Sequence, residues 1–449
     1  MNTFATLLVL SVYVALVLGS TAHKLLPPRF VADLDKKWWG PLGGEDNAST
    51  DIRPFKIKFT DEMITDLRNR INNRRAVTPP LEGIAFEYGF NSNNLEFWMD
   101  YWANKYNFTE RESYLNKYPQ FKTNIQGLDI HFIRVKPEVP EGVVVLPLLM
   151  LHGWPGSVRE FYEVIPIITE YCENRGFAVE VIVPSLPGFG FSDGTTRPGL
   201  GEMEMAAIFK NLMLRLGFEK FYVQGGDFGA LIANNMVTFY PEVILGYHTN
   251  FPVSLAAGSL ITYVAGSINP SLQSLAVDPE LAERMYPILK FVLGIAEESG
   301  YLHIQATKPD TIGIANKFKV DGGLHDLYQP EALIDNIMYY WTENKFTTAV
   351  RVYAESINKR TLGMGIGSIP TPVPTCTVHA KDEIIYMSPA MLKFKFSNLL
   401  CTVALDSYGH FFALEVPNIF SEVVLNSLVE FRAIGTCSTK LLSFNRLLY

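Results

Sequence analysis

The sequence predicts an α/β fold built around a mainly parallel sheet, and three observations support this prediction. Apolar runs of strand length alternate along the chain with segments of helical character. The run 143–151 is apolar throughout, which is typical of a parallel strand buried on both faces. The run 221–223 leads into the turn Gly225-Gly226-Asp227-Phe228-Gly229, and a helical segment follows. Strand alternating with helix favours a sheet that is covered by helices on both faces.

Length and composition indicate a large catalytic domain with an added segment. The 449 residues exceed one ordinary hydrophobic core, and 48% of them are hydrophobic and 19% charged. The net charge of −8, without a long basic run, argues against nucleic acid as the main partner. Cys172, Cys376, Cys401 and Cys437 are widely spaced and include no Cys-x-x-Cys pair. We therefore expect buried free thiols in a reducing compartment, and neither a zinc site nor a disulfide framework.

The N-terminal residues 1–23 are almost wholly apolar. A helix of about 20 residues crosses the hydrocarbon of a bilayer. The first basic residues, Lys24 and Arg29, follow this run, so the positive-inside rule predicts a membrane anchor with the rest of the chain in the cytoplasm. A cleaved signal peptide is the alternative, because the small residues at 19–22 would suit cleavage. It would lack the basic residues that normally precede the apolar run of a signal peptide.

The remaining chain divides into four segments. Residues 50–123 are polar and aromatic, and we interpret them as an arm that wraps the catalytic domain. Residues 124–251 form the first part of the α/β core. Residues 252–355 change to irregular helices, as expected of an inserted lid. Residues 356–435 restore the α/β pattern and form the second part of the core.

The individual elements follow from local patterns. Strands are predicted where apolar or alternating runs are short, and helices where the apolar period is longer. The predicted strands are 128–133, 143–151, 179–183, 221–223, 374–378 and 400–405, and the principal predicted helices are 61–72, 202–216, 230–236 and 416–432.

The turn at 225–229 is typical of the nucleophile elbow of α/β-hydrolases, where small residues let a strand and a helix close on each other. The residue at its centre is usually Ser, and here it is Asp227. A carboxylate needs no base to act as a nucleophile at neutral pH, and its attack on carbon leaves an ester on the enzyme. The alternative is a glycine-rich turn with a solvated Asp.

Hydrolysis of such an ester requires a base, and His410 is the candidate. It comes late in the chain after a strand, in agreement with the order nucleophile, acid, His of α/β-hydrolases. The supporting acid is Asp382 or Glu383, which both follow the strand ending near 378; spacing alone does not separate them. Asp406 shares the loop of His410 and is less suited to face its ring.

Two backbone N–H groups are expected to form an oxyanion hole for the ester intermediate. One belongs to Phe228, directly after the nucleophile. The other comes from the loop 152–154, and Trp154 is favoured because Pro155 has no N–H. His152 is expected to shape this loop.

With these motifs in place, the chain resembles the microsomal-type epoxide hydrolases, and in detail the insect juvenile hormone epoxide hydrolases. The resemblance covers nearly the whole chain. It rests on the anchor-like N-terminus and on the segments Arg53-Pro54-Phe55-Lys56-Ile57, His152-Gly153-Trp154-Pro155-Gly156-Ser157, Gly225-Gly226-Asp227-Phe228-Gly229, Gly300-Tyr301-Leu302-His303-Ile304-Gln305, Thr307-Lys308-Pro309-Asp310-Thr311 and Gly409-His410-Phe411.

The resemblance implies roles for particular residues. Asp227 would be the nucleophile, His410 the base and Glu383 the supporting acid, and the phenols of Tyr301 and Tyr353 would bind the epoxide oxygen. The product would be a vicinal diol, formed without a cofactor or metal. The implied partners are a lipophilic epoxide, water and, through the N-terminal helix, the membrane of the endoplasmic reticulum.

The chain departs from the family after position 315. Roughly twenty residues of the lid are expected to be missing there, which would widen the pocket or expose apolar surface. The alternatives are therefore a lid-deleted homologue with little or no catalysis, a broad-specificity detoxifying epoxide hydrolase, and an Asp-nucleophile dehalogenase. A dehalogenase would not call for the tyrosine pair.

Overall fold

A computed structural model describes residues 28–45, 48–87, 90–312 and 328–434. Their centre is one nine-stranded sheet in the order β1-β2-β3-β5-β4-β6-β7-β8-β9. The strands are β1 Arg53–Phe55, β2 Gln120–Ile125, β3 Leu128–Val135, β4 Val145–Leu151, β5 Ala178–Pro184, β6 Phe221–Gly225, β7 Ile244–Thr249, β8 Thr375–His379 and β9 Leu399–Ala404.

Pairing within the sheet changes from antiparallel to parallel along its width. β1, β2, β3 and β5 pair antiparallel, whereas β5, β4, β6, β7, β8 and β9 pair parallel. The predicted α/β fold with a mainly parallel central sheet is confirmed. Because parallel strands need long crossovers, helices lie between them and cover both faces.

The α-helices connect and flank these strands. In chain order they are α1 Pro28–Lys36, α2 Asp61–Asn72, α3 Leu95–Asp100, α4 Phe108–Leu115, α5 Val164–Thr169, α6 Glu202–Arg215, α7 Asp227–Phe239, α8 Ala257–Ile268, α9 Gln273–Ala276, α10 Ile288–Glu298, α11 Gly300–Thr307, α12 Pro309–Ile312, α13 Pro330–Trp341, α14 Phe346–Ser356, α15 Lys359–Met364, α16 Pro389–Leu392, α17 Phe412–Glu415 and α18 Pro417–Ala433. A short 3₁₀ helix, Val158–Phe161, follows β4.

The sheet separates two hydrophobic cores, and the alternation of β4 shows how. Leu149 and Leu151 point into one core, which contains the buried faces of α6 and α7. Leu148 and Met150 point into the other core, which contains the buried faces of α5 and α18. This two-sided burial explains why 143–151 is apolar at nearly every position.

The segment 50–123 joins the fold at two places. Its β1 and β2 extend the sheet at the antiparallel edge. Its helix α4 carries Arg111, which forms an ion pair with the fully buried Asp335 of α13; Arg159 also donates to this carboxylate, with Nε 3.0 Å from Oδ2. A buried carboxylate requires such partners. Asp335 therefore joins α13 to both the arm and the core.

The expectation of free thiols is wrong for two of the four cysteines. A disulfide connects Cys376 of β8 with Cys401 of β9, whose Cα atoms are 4.7 Å apart. The two residues are directly opposite each other in neighbouring strands. Sequence spacing concealed this contact, because it depends on which strands are adjacent. Cys172 is a free thiol, and Cys437 lies outside the described residues.

Helices α8 to α14 occupy the segment 252–355 between β7 and β8. The predicted shortening of this segment falls on residues 313–327, which lie outside the described residues, as does the predicted membrane helix 1–23. Within the ranges that the structure describes, no helix has the length and hydropathy needed to cross a membrane.

Candidate active site

Asp227 lies in the sharp turn between β6 and α7. β6 ends at Gly225, α7 begins at Asp227, and Asp227 has a φ of +48°, which is uncommon for a residue with a side chain. A Cβ at Gly229 would lie 2.1 Å from the carbonyl oxygen of Leu151. A Cβ at Gly153 would lie 2.3 Å from Oδ1 of Asp227. Glycine at these positions lets strand, helix and loop approach closely around the Asp227 carboxylate.

His410 and Glu383 approach Asp227 from the loops that follow β9 and β8. His410 Nδ1 is 2.7 Å from Glu383 Oε1, and His410 Nε2 is 3.5 Å from Asp227 Oδ2. Only 2% of the Glu383 side chain is exposed, against 18% for His410. Since Nδ1 donates to Glu383, Nε2 is the nitrogen that faces Asp227.

The charges around His410 determine its protonation. Burial alone would lower its pKa, but the charge of Glu383 and hydrogen bonds to Glu383 and Asp227 raise the pKa well above the ordinary value. The imidazolium form of His410 is therefore stabilised.

The three acids that sequence reasoning considered have different surroundings. Glu383 Oε1 accepts hydrogen bonds from His410 and, at 2.7 Å, from the N–H of Ile384. Asp382 is exposed. The side chain of Asp406 is 87% exposed and pairs with Arg284. The structure thus brings Glu383 to His410, in agreement with the resemblance.

The loop after β4 contacts Asp227 through its backbone. The N–H of Trp154 donates to Asp227 Oδ1 over 2.7 Å. His152 Nε2 accepts from the N–H of Leu186 at 3.1 Å, and its Nδ1 is 2.9 Å from the carbonyl oxygen of Gly153. Burial lowers the pKa of His152 to about 4, so it is neutral and holds the loop as a hydrogen-bonding group. The N–H of Phe228 stays a prediction as the second oxyanion donor.

Tyr301 and Tyr353 lie together beside this loop. Their rings are 6.1 Å apart, and the Trp154 indole stacks on Tyr301 at 5.7 Å and meets Tyr353 edge-on at 5.4 Å. The two hydroxyls share a hydrogen bond. Burial and the negative charge of Asp227 raise the pKa of both phenols, which therefore stay protonated and remain donors.

The comparisons with known proteins agree with this geometry. The family described as "Epoxide hydrolase N terminus" matches residues 52–161, and the α/β-hydrolase fold family matches residues 147–287. The chain is 46% identical to the juvenile hormone epoxide hydrolase of Bombyx mori, over 95% of this chain and 98% of the relative. The chain belongs to the epoxide hydrolase family.

Two further comparisons support this membership. The chain is 39% identical to epoxide hydrolase 1 of Sus scrofa over 86% of this chain and 91% of that protein. The crystal structure of the Bombyx mori juvenile hormone epoxide hydrolase superposes with a TM-score of 0.86, at 46% identity, over 89% of this chain and 99% of that chain. This protein is thus an epoxide hydrolase, which confirms the activity that the sequence predicted.

This epoxide hydrolase has a small cavity next to Asp227 and His410 that the sequence did not reveal. Asp227 and His410 line it, together with three polar residues, Glu160, Gln224 and Asn250. Burial raises the pKa of the Glu160 carboxyl to about 8, although the positive charge of His410 acts to lower it. Gln224 and Asn250 lie in no recognisable sequence motif, so their place in this cavity follows from the fold alone.

Glu160 lies in the 3₁₀ helix that follows β4, and Ser157 directly precedes this helix. Ser157 caps the 3₁₀ helix Val158–Phe161 by accepting from the N–H of Arg159 at 3.2 Å. The backbone N–H of Ser157 donates to the Glu160 carboxyl. A side chain at Gly156 would collide with this carboxyl, which fills the space beside the cavity.

Proposed function

We propose that this epoxide hydrolase opens its substrate through a covalent ester on Asp227. The observation that carries the proposal is the arrangement around one carboxylate. Trp154 N–H donates to Oδ1 at 2.7 Å, and His410 Nε2 lies 3.5 Å from Oδ2. A carboxylate held in this way is oriented, and it lies next to a base that its own attack does not need.

In the first step, Asp227 attacks one carbon of the epoxide and the carbon–oxygen bond of the ring breaks. The negative charge then develops on the epoxide oxygen. Tyr301 and Tyr353 are suited to stabilise this charge and supply the proton, because both phenols are neutral donors near Asp227.

In the second step, water attacks the Asp227 carbonyl carbon while His410 Nε2 takes a proton from the water. The tetrahedral oxyanion is held by the N–H of Trp154 and that of Phe228. The bond between the carbonyl carbon and the bridging ester oxygen, which came from Asp227, then breaks, and this leaving oxygen takes the proton from His410. The diol therefore retains an oxygen that belonged to Asp227, and Asp227 gains the oxygen of the water.

We infer that the helices between β7 and β8 act as a lid. Tyr301 lies on α11 and Tyr353 on α14, and these two helices pack on each other. Any movement of this helical pair changes the position of the phenols relative to Asp227. The lid and the core thus each supply part of the site.

The proposed substrate is a lipophilic epoxide of the juvenile hormone class. The support is the name and the 46% identity of the Bombyx mori relative, together with the aromatic surroundings of the phenols. Comparison of turnover of a juvenile hormone with that of styrene oxide, at equal enzyme concentration, tests this proposal. A higher kcat/KM for styrene oxide would contradict it and favour a detoxifying role.

The location proposed for the enzyme is the membrane of the endoplasmic reticulum, with residues 1–23 as anchor and the catalytic domain in the cytoplasm. The apolar N-terminal run supports this proposal. The disulfide between Cys376 and Cys401 opposes it, because disulfides are typical of oxidising compartments. Carbonate washing of microsomes tests the anchor: an anchored protein stays in the pellet.

A single turnover in ¹⁸O-water tests the covalent mechanism. With enzyme in excess over epoxide, the diol from the first turnover should contain only ¹⁶O, and the peptide containing Asp227 should gain ¹⁸O. A diol labelled in its first turnover would show direct attack by water and overturn the proposal. Pre-labelled enzyme in ordinary water provides the control, since its first diol should carry ¹⁸O.

A further inference from the structure

The cavity next to Asp227 is too small for a lipophilic epoxide and large enough for water. About 20 Å³ is open to the centre of a water molecule. One bound water needs roughly 10–15 Å³ of such space. Tyr301 and Tyr353 are not part of the cavity wall among the described residues, so this space differs from the place where the phenols would bind the epoxide oxygen.

Gln224 brings a buried polar atom to this cavity without a protein partner. The residue is 1% exposed and lies in β6, three positions before Asp227. Its Nε2 donates to Asn250 Oδ1 over 3.0 Å, which fixes the orientation of the amide. Its Oε1 is buried and has no hydrogen-bond donor among the described residues. An unpaired buried acceptor is costly, and an ordered water is the usual way to satisfy it.

The geometry points to this cavity as the binding site of the hydrolytic water, with Gln224 Oε1 as the acceptor that orients it. The inference rests on the proposed ester mechanism. Water has two protons: one must go to His410 Nε2, and the other needs a separate acceptor. With Gln224 holding the second proton, a lone pair of the water oxygen is left for the carbonyl carbon of Asp227. Gln224 thereby acts as a positioning residue.

Glu160 lines the same cavity without competing for the proton. Its carboxyl accepts a hydrogen bond from the N–H of Ser157, and burial raises the pKa of this carboxyl to about 8. At neutral pH it is therefore uncharged, and His410 remains the base. The cavity thus combines one base, one neutral acceptor and the ester carbon, which are the groups that a nucleophilic water needs.

The test separates the two chemical steps in the Gln224→Met variant of the full-length enzyme. Methionine has a similar length but no strong acceptor. Rapid quenching followed by intact-protein mass spectrometry measures formation and decay of the Asp227 adduct. We expect hydrolysis of the adduct to slow about 10- to 100-fold while ring opening changes by less than roughly threefold. The adduct should therefore accumulate in the variant during turnover.

A matched control is Gln120→Met, the same change at a buried glutamine of β2 that is 3% exposed and outside the cavity. It should leave the ratio of the two rates unchanged. Asn250→Leu provides a second variant in case Gln224→Met does not fold. Loss of the Asn250 acceptor lets the Gln224 amide turn, and hydrolysis alone should slow about tenfold.

Two results would overturn the inference. One is wild-type hydrolysis in Gln224→Met; the other is equal slowing of both steps, which indicates a general disturbance around Asp227. Failure of the ester mechanism gives a different result. In that case no adduct forms on Asp227 in any variant, including His410→Gln, in which adduct decay should be blocked.

Discussion

Replacing Glu383 by Gln should slow hydrolysis of the ester without slowing its formation. Glu383 Oε1 is 2.7 Å from His410 Nδ1, and the Glu383 side chain is 2% exposed. At an effective dielectric constant of about 20, opposite charges at this distance attract by about 6 kcal/mol. A neutral acceptor keeps about half of a charge-assisted hydrogen bond. The imidazolium that forms as water attacks then loses about 3 kcal/mol of stabilisation, which is roughly a 100-fold slower step.

The assay follows the Asp227 adduct by rapid quenching and intact-protein mass spectrometry under single-turnover conditions. In Glu383→Gln the adduct should form at nearly the wild-type rate, because Asp227 attacks without help from a base, and should then persist. Asp382→Asn is the matched control, since it removes one negative charge from the adjacent, exposed residue. Equal effects of the two variants, or equal slowing of both steps in Glu383→Gln, would refute the assignment.

Three further predictions concern the rest of the site and its surroundings. Tyr353→Phe should slow ring opening about 10²- to 10³-fold, because the epoxide oxygen loses a hydrogen-bond donor. Tyr247→Phe is the control, since the buried hydroxyl of Tyr247 donates to a helix carbonyl and its loss should not change the rate. Single-turnover rates of ring opening test both expectations. Glu160→Gln should stabilise the protein at pH 8 by about 2–4 kcal/mol in denaturant unfolding but not at pH 4.5. The pKa of Glu160 is raised to about 8 in the folded protein, whereas the unfolded chain keeps the ordinary, lower value of a glutamate. The folded protein therefore holds a proton that the unfolded chain releases. As a result, the free energy of unfolding falls as the pH rises from the ordinary pKa of glutamate to about 8. Asn107 is exposed and belongs to an Asn-x-Thr glycosylation triplet. If the catalytic domain is in the cytoplasm, Asn107 carries no glycan and endoglycosidase treatment leaves the mass of the protein unchanged. A decrease in mass would place the catalytic domain in the lumen.

The strand–turn–helix that carries Asp227 could be predicted from sequence because its signal is local. Within this turn a Cβ at Gly225 would collide with the backbone of Gly229, so part of the requirement for small residues is visible in the five residues themselves. The signal for the strands is also local. The predicted strand 143–151 corresponds to the observed strand Val145–Leu151, because a strand buried on both faces needs apolar residues throughout.

The remaining features depend on which distant elements are neighbours. Asp382 and Glu383 are adjacent in sequence, and only the loop conformation decides which of them reaches His410. The disulfide arises because β8 and β9 are adjacent in the sheet. Gln224 lies in an apolar strand, and its Oε1 has no hydrogen-bond donor among the described residues. This oxygen can be interpreted only once the cavity beside His410 is known. No spacing rule encodes these contacts.

The electrostatics of His410 give a physical reason for the order of the two steps. In the free enzyme the negative charges of Glu383 and Asp227 together keep the pKa of His410 well above its ordinary value, so the ring is held as the imidazolium. This form cannot act as a base, but it lies beside a carboxylate that needs none. Ester formation removes the charge of Asp227 and, with it, the contribution of one of the two residues that raise the pKa of His410. In the proposed mechanism the first step therefore prepares the base for the second, since His410 releases its proton more readily once the nucleophile has become an ester.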